Sequence, residues 1–354
     1  MKQLDKYVGN SVLWSFVAVM FILLGLDYIL SFIEHIKRIN QHYGLADLSA
    51  VLLLHLPKKL TEYIPIASLI GTLIGLGALA NTSELTVIRA AGVPLWRIGL
   101  SAIKPLFLVS LIGLGISEFI SPVTEQEANL RESLRRQSNN DYVLTGGAWL
   151  RSEQSFIYIH AADAKGTLYN IETFKQNQSH ELESTLKAKK AIYQGDNLWL
   201  LHDASHSYFL GNKINTEYSG SKVWEMSFKP EHLFLATQEI DALSLSQSLA
   251  YQGYLSTQGL DTSQYQLDFW TKTLRPLATI ALVIVALSSV FGPLRSSTMG
   301  GRVFSGVIIG IIFQNGLNLF GRVSLVADFS PLLGILIPIG ICFAMGIWQL
   351  KRLR

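Results

Sequence analysis

The chain divides by the pattern of its apolar positions. Uncharged, mostly apolar runs occupy residues 8–26, 63–83, 276–294, 303–321 and 329–350, and a sixth, 98–120, is interrupted only by Lys104 and Glu118. Each approaches the roughly 20 residues an α-helix needs to cross a hydrocarbon core about 30 Å thick. Six spanning helices are predicted, three on each side of a long middle segment, with the charges of the third reaching polar surroundings near its ends.

From 122 to 268 the pattern changes to short alternating runs at 156–159, 168–174, 191–193, 198–201 and 223–228, each bounded by Gly, Asn, Asp or Lys. Alternation of period two predicts strands. Gly195-Asp196-Asn197, between two of them, has the residue types of a tight hairpin turn. A sandwich, jelly roll or barrel-like sheet accommodates several strands at this spacing, and the pattern sets neither their number nor their closure. Residues 125–137 and 243–258 read as helices, stalks that continue the third span and lead back to the fourth. The pairs Gly71/Gly75 and Gly306/Gly310 have helix-packing spacing and predict close backbone approach within this chain.

Charge orients this arrangement. Six spans put both termini on one side, and that side carries Lys2, Lys6, Arg89, Arg97, Arg295, Arg302, Lys351, Arg352 and Arg354 against Asp5 and Glu84. By the positive-inside rule the termini are cytoplasmic and the middle segment lies outside. Of 29 Lys+Arg and 26 Asp+Glu, residues 123–268 hold 12 and 18, which leaves 17 and 8 for the membrane part. An acidic middle domain argues against nucleic acid as a partner, while a basic frame suits lipid head groups or an anionic substrate. A mean hydropathy of +0.31 agrees with a bilayer as solvent. The single cysteine, Cys342, excludes a disulfide or zinc framework within the chain. The first apolar run is long and lacks a small-residue cleavage site, so it reads as a retained helix.

A search for enzymatic chemistry is unproductive. The dipeptide Gly-Lys is absent, which excludes a P-loop, and neither His-Glu-x-x-His nor Gly-x-Ser-x-Gly occurs. The eight histidines are scattered without ligand spacing. An intramembrane enzyme would have only Asp27 and Glu118 to work with. The chain reads as a non-enzyme that binds no cofactor or metal.

Three polar features remain. After the second span, Asn81-Thr82-Ser83-Glu84 has the residues of an N-cap ahead of a short helix, about 82–92, on which Leu85, Ile88 and Ala91 share a face and which Gly92 and Pro94 end. It is open whether this helix docks on a soluble partner or is an ordinary surface loop whose Glu84 answers the helix dipole. On the opposite side, Lys37, Arg38, Lys58 and Lys59 crowd the loop between the first two spans, and Arg322 lies at the outer end of the fifth. Either they cradle phosphates, or they are snorkelling cations beside Glu34, Asp47 and Glu62. Asp27, inside the first span, needs a cavity, a proton or a partner.

The most specific residues are Phe291-Gly292-Pro293-Leu294-Arg295 with Met299-Gly300 and Arg302-Val303, together with Leu4-Asp5-Lys6-Tyr7, Leu76-Gly77, Ser83-Glu84-Leu85 and Tyr265-Gln266-Leu267. In these the chain resembles the LptF/LptG family of lipopolysaccharide export permeases along nearly its whole length, most closely in the membrane. The resemblance implies an α-helical membrane protein of six transmembrane helices (residues 1–122 and 269–354) around an all-β, jelly-roll-like periplasmic domain (123–268). It would be a subunit of an ATP-driven complex that extracts lipopolysaccharide from the bacterial inner membrane and passes it to a periplasmic bridge. Implied partners are an LptF-like permease, an LptB-like ATPase dimer that uses the ATP and Mg, and an LptC-like membrane-anchored subunit. The resemblance assigns Glu84, with Leu85, Ile88 and Arg89 of its helix, to ATPase coupling. It assigns Lys37, Arg38 and Lys58 to the lipid A phosphates, with Lys59 and Arg322 as neighbours of the same charge. At Ser31 the chain departs from a homologue of that family, which has a lysine there, so the resemblance leaves that phosphate contact without its residue. The competing class is a non-transporting scaffold that recruits periplasmic partners by strand addition to its sheet.

Overall fold

The computed structural model describes residues 2–39, 43–136, 147–152, 155–163, 166–177, 181–210, 213–226, 228–257, 259–292, 298–327 and 329–352. The side chains of residues 2, 38, 133–136, 151, 152 and 210 lie outside the description. Two compact units emerge: residues 1–37, 52–124 and 244–354 form one, and residues 38–51 and 125–243 the other.

The first unit is helical. Its helices are α1 (Lys2–His35), α2 (Leu45–Asn81, which begins in the other unit), α3 (Glu84–Ala90) and α4 (Leu95–Phe119) before the middle segment. Then α5 (Ser121–Arg136) leads out, and α6 (Pro230–Thr237) and α7 (Leu245–Thr257) precede α8 (Ser263–Thr273), α9 (Arg275–Phe291), α10 (Met299–Val326) and α11 (Pro331–Arg352). Five of these, α1, α2, α4, α10 and α11, are long and apolar enough to cross a membrane. α8 and α9 meet at a 51° bend and pass the same test only as a pair, so the described helices supply five crossings, or six if the bent pair is one span.

Small residues set the helix spacing. A Cβ on Gly71 would lie 2.6 Å from the Phe16 Cα, and one on Gly75 2.9 Å from the Val12 Cα. The backbones of α1 and α2 therefore touch, antiparallel, as the glycine pair predicts. Gly306 and Gly310 meet Leu73 and Ile66, so α10 lies against α2 as well, also antiparallel. Thus α2 is mostly buried between neighbours. By contrast, α1 and α10 keep exposed apolar faces that include Trp14, Phe21, Ile22 and Ile29 on the first and Phe304, Ile311 and Ile312 on the second.

The second unit is built on one six-stranded antiparallel sheet. Its strands are β1 (Ala148–Ser152), β2 (Ser155–Ala162), β3 (Thr167–Gln176), β4 (Leu182–Gly195), β5 (Leu198–Leu210) and β6 (Lys213–Glu225), in sheet order 1-2-3-4-5-6. A central antiparallel sheet is observed as expected, and the described strands follow one another as a meander. Asp196 and Asn197 join β4 to β5 with φ of 47° and 63°, the doubly left-handed turn that matches strand twist. A buried row, Ile159, Ile171, Ala188 and Ala204, runs across four strands in register.

Candidate functional site

At the end of the helical unit that carries the chain termini, α3 forms the sharpest local structure. Its start differs from the sequence expectation. Ser83 is left-handed, with φ 63°, and its side chain makes no cap bond. Glu84 is held instead by its neighbours, its carboxylate accepting hydrogen bonds from the Tyr7 hydroxyl at 2.8 Å and the Thr82 hydroxyl at 2.9 Å. The end is as predicted: Gly92, with φ 83°, donates to the Arg89 carbonyl, and Val93 donates to that of Ile88. This is the paired arrangement that satisfies last-turn carbonyls, and only glycine adopts its left-handed position without strain.

The face of α3 also differs from the docking expectation. Leu85 and Ile88 are buried, 3% and 8% exposed, in the apolar core of their own unit. The outward face consists of Thr86, Val87, Arg89 and Ala90. Leu85 and Ile88 anchor the helix, and what it presents is Glu84 at its start with Val87 and Arg89 beyond. The adjoining α4 is tied to α1 by Arg97, whose guanidinium donates to both Asp5 carboxylate oxygens at 3.2 and 3.0 Å.

Arg302 is a residue whose role the sequence conceals. Charge counting places it among loop cations, yet it is fully buried and donates to the Gly77 carbonyl at 2.6 Å. It sits near the C-terminal end of α2, where the helix dipole favours a cation. In the sequence it only adjoins the run 303–321, whereas in the structure it lies one turn inside α10.

At the opposite end of the unit, the predicted cations converge in level. Along α1 and α2 the contacts Gly71/Phe16, Gly75/Val12 and Tyr63/Asp27 fix an antiparallel register. Extended at 1.5 Å per residue, it sets Lys37 at about the level of Leu53 on α2. The register of α10 on α2, through Gly306 and Gly310, sets Arg322 at about the level of Leu54, within roughly one turn of Lys58. Lys37 and Arg322 are exposed, and Lys58 and Lys59 half-buried, Lys59 facing Glu62 at 3.7 Å. The side chain of Arg38 lies outside the described ones. A cation not singled out in the sequence joins the group: Arg275, at the start of α9, donates at 2.8 Å to the Thr61 hydroxyl, which in turn donates to the Lys58 carbonyl.

Both intramembrane carboxylates have structural partners. Asp27 accepts a hydrogen bond from the Tyr63 hydroxyl at 2.5 Å, which meets the cost of placing it within α1. Glu118 accepts from the backbone amides of Leu245 and Ser246, at 2.8 and 3.4 Å, and so answers the N-terminus of α7.

The chain matches the family model of the lipopolysaccharide export system permease LptF/LptG over residues 6–352. It is 31% identical over 352 residues to the lipopolysaccharide export system permease protein LptG of Escherichia coli strain K12, covering 99% of this chain and 98% of that protein. To the protein of the same name from Haemophilus influenzae it is 30% identical over 355 residues, covering 99% of each.

Proposed function

We propose a function from the premise that this chain belongs to the lipopolysaccharide export permease family LptF/LptG. It is a multi-pass membrane permease subunit of an ATP-driven exporter that draws lipopolysaccharide out of the inner membrane toward a periplasmic bridge. The carrying observation is that α1 and α10, both packed on α2, keep exposed apolar faces and bear cations at one end of the unit. Apolar faces suit acyl chains, and Lys37, Arg38, Lys58, Lys59 and Arg322 suit lipid A phosphates, by point charge and by bidentate guanidinium bonds. Arg275 joins them through Thr61. With Ser31 in place of a lysine, the phosphates rely more on Arg38 and Lys59.

The other half of the cavity comes from an LptF-like permease. ATP and Mg are used by a separate LptB-like ATPase dimer, and an LptC-like anchored subunit completes the complex in the inner membrane. The chain termini and α3 are cytoplasmic, and the sheet is periplasmic. The ATPase meets Glu84, Val87 and Arg89, and its closure passes through α3 to α2 and α4, an equilibrium at one site biased by nucleotide at another.

The test is a pull-down of the tagged chain in mild detergent, with ATPase activity and bound lipopolysaccharide measured for the wild type and for a triple K37Q/R38Q/K58Q variant. The wild type is expected to bring both. The variant should keep the ATPase and lose most of the lipopolysaccharide. Equal lipopolysaccharide in both preparations would return these cations to snorkelling. A chain that carries neither ATPase nor lipopolysaccharide in several detergents would make it a scaffold.

A further inference from the structure

A groove of about 480 Å³ lies at the end of the helical unit that carries the chain termini. Its walls are the first turns of α4 (Trp96, Leu100), the last turns of α9 (Leu287, Phe291) and the last turn of α11 (Ile347, Lys351). Two close approaches make its floor. A Cβ on Gly99 would lie 3.3 Å from the Leu287 side chain, and one on Gly346 2.8 Å from that of Ile284, so α4 and α11 are both drawn onto α9. The volume is within the range of small-molecule sites, about 300–1,000 Å³.

Length and charge identify the occupant. The lining of α4 runs from Leu95 to Ile103, about 12 Å at 1.5 Å per residue. That is close to one leaflet of a hydrocarbon core about 30 Å thick, and well short of what a spanning partner helix would cover. The lining is apolar except for Lys351, at the end of α11 that meets the head groups, and it contains no carboxylate. Trp96 is 61% exposed at the same level. Trp348 is 53% exposed and carries the Arg352 guanidinium 3.7 Å above its ring. Tryptophans at this depth mark the membrane–water boundary, and cations there attract anionic head groups.

We propose that this groove is a binding site for one acyl chain of an anionic glycerophospholipid in the leaflet on the side of the chain termini, with the head group on Lys351 and Arg352. The site is separate from the cations at the other end of the unit and does not rest on the export reading.

The experiment reconstitutes the purified full chain, with whatever subunits accompany it, in phosphatidylcholine vesicles. These contain a trace of phosphatidylglycerol or of phosphatidylcholine bearing a photoreactive group on one acyl chain, and adducts are mapped by mass spectrometry. Phosphatidylglycerol adducts should concentrate on the groove peptides of α4, α9 and α11 and exceed those of phosphatidylcholine by at least about fivefold, the attraction of a single surface cation. K351E should abolish that preference, and L100W, which fills the groove from a surface position, should reduce labelling by both lipids. Adducts spread evenly over the outward helix faces would overturn the proposal. So would equal labelling by the two lipids, or a groove found crosslinked to an accompanying polypeptide.

Discussion

Gly77 and Arg302 show how much a single position carries in this fold. A Cβ on Gly77 would lie 2.5 Å from the Arg302 Nη1 and 2.9 Å from its Cδ, and the guanidinium is fully enclosed. G77A should therefore lower stability by about 1–3 kcal/mol, the cost of overpacking a filled site. Gly115, on α4, has nothing within 4 Å of the added carbon, so G115A should be neutral or stabilising through helix propensity alone. Thermal unfolding of the two variants in one detergent checks the contrast, and an equal loss in both would contradict it. None of this was legible beforehand, since a sequence shows that an arginine adjoins a span but not that a carbonyl awaits it inside. Asp27 is similar. The sequence marks its cost, and only the fold supplies Tyr63, 36 residues away, as its donor.

The elements were legible wherever a period was unbroken. Each of the six spanning runs falls mainly in a helix or in the bent pair, and the Gly195–Asn197 turn falls where its residue types place it. What the alternation did not give was the full length of the strands, and the sheet shows why. The register passes over His160 in β2, Asn170 in β3, Lys189 in β4, Asp203 in β5 and Gly220 in β6, so a crease crosses five strands at one level. Beyond it the inward positions shift by one residue, from Ile171 to Leu168 and from Ala204 to Leu201. A period-two pattern read through such a shift breaks into fragments. Asn170 and Asp203 are left-handed there, with φ of 49° and 51°. N170V should cost about 1–2 kcal/mol, because a branched side chain is disfavoured in that conformation, and N170G should cost less than N170V. Thermal unfolding followed by the sheet's far-ultraviolet dichroism distinguishes them. The same sheet carries a pH response. Burial, with Lys222 nearby, lowers the pKa of the His206 imidazole, whose Nδ1 lies 2.9 Å from the Lys222 ammonium and 3.1 Å from the Tyr208 hydroxyl. The unfolded chain then binds the proton more readily, so this contribution is present above the unfolded value, about 6.5, and is lost as pH falls toward the folded one. Wild-type melting temperature should fall between pH 7.5 and pH 5 by more than that of H206Q.

At the scale of the whole molecule, the two ends of the helical unit carry different groups, and α2 runs between them. Its far half bears Lys58 and Lys59, and its near end receives Arg302 and leads into α3. The family and the crossings follow from sequence, but the orientation of α3 does not. Amphipathic spacing says that Leu85 and Ile88 share a face and is silent on whether that face turns inward. Burial answers that, and it separates two kinds of substitution. I88A removes a buried side chain and should cost about 2–5 kcal/mol, so less folded chain is recovered and each surviving complex works normally. E84K leaves the core untouched and reverses the charge presented beside Arg89. It should leave the yield of chain unchanged, while the accompanying ATPase either dissociates or hydrolyses ATP without releasing lipopolysaccharide. Y7F removes one of the two hydroxyls that hold the Glu84 carboxylate and should give a partial version of the same defect. Release of lipopolysaccharide per ATP hydrolysed, measured in proteoliposomes of the purified complex, ranks the variants. An E84K complex as efficient as wild type would remove Glu84 from the coupling path and leave α3 to act through Val87 and Arg89.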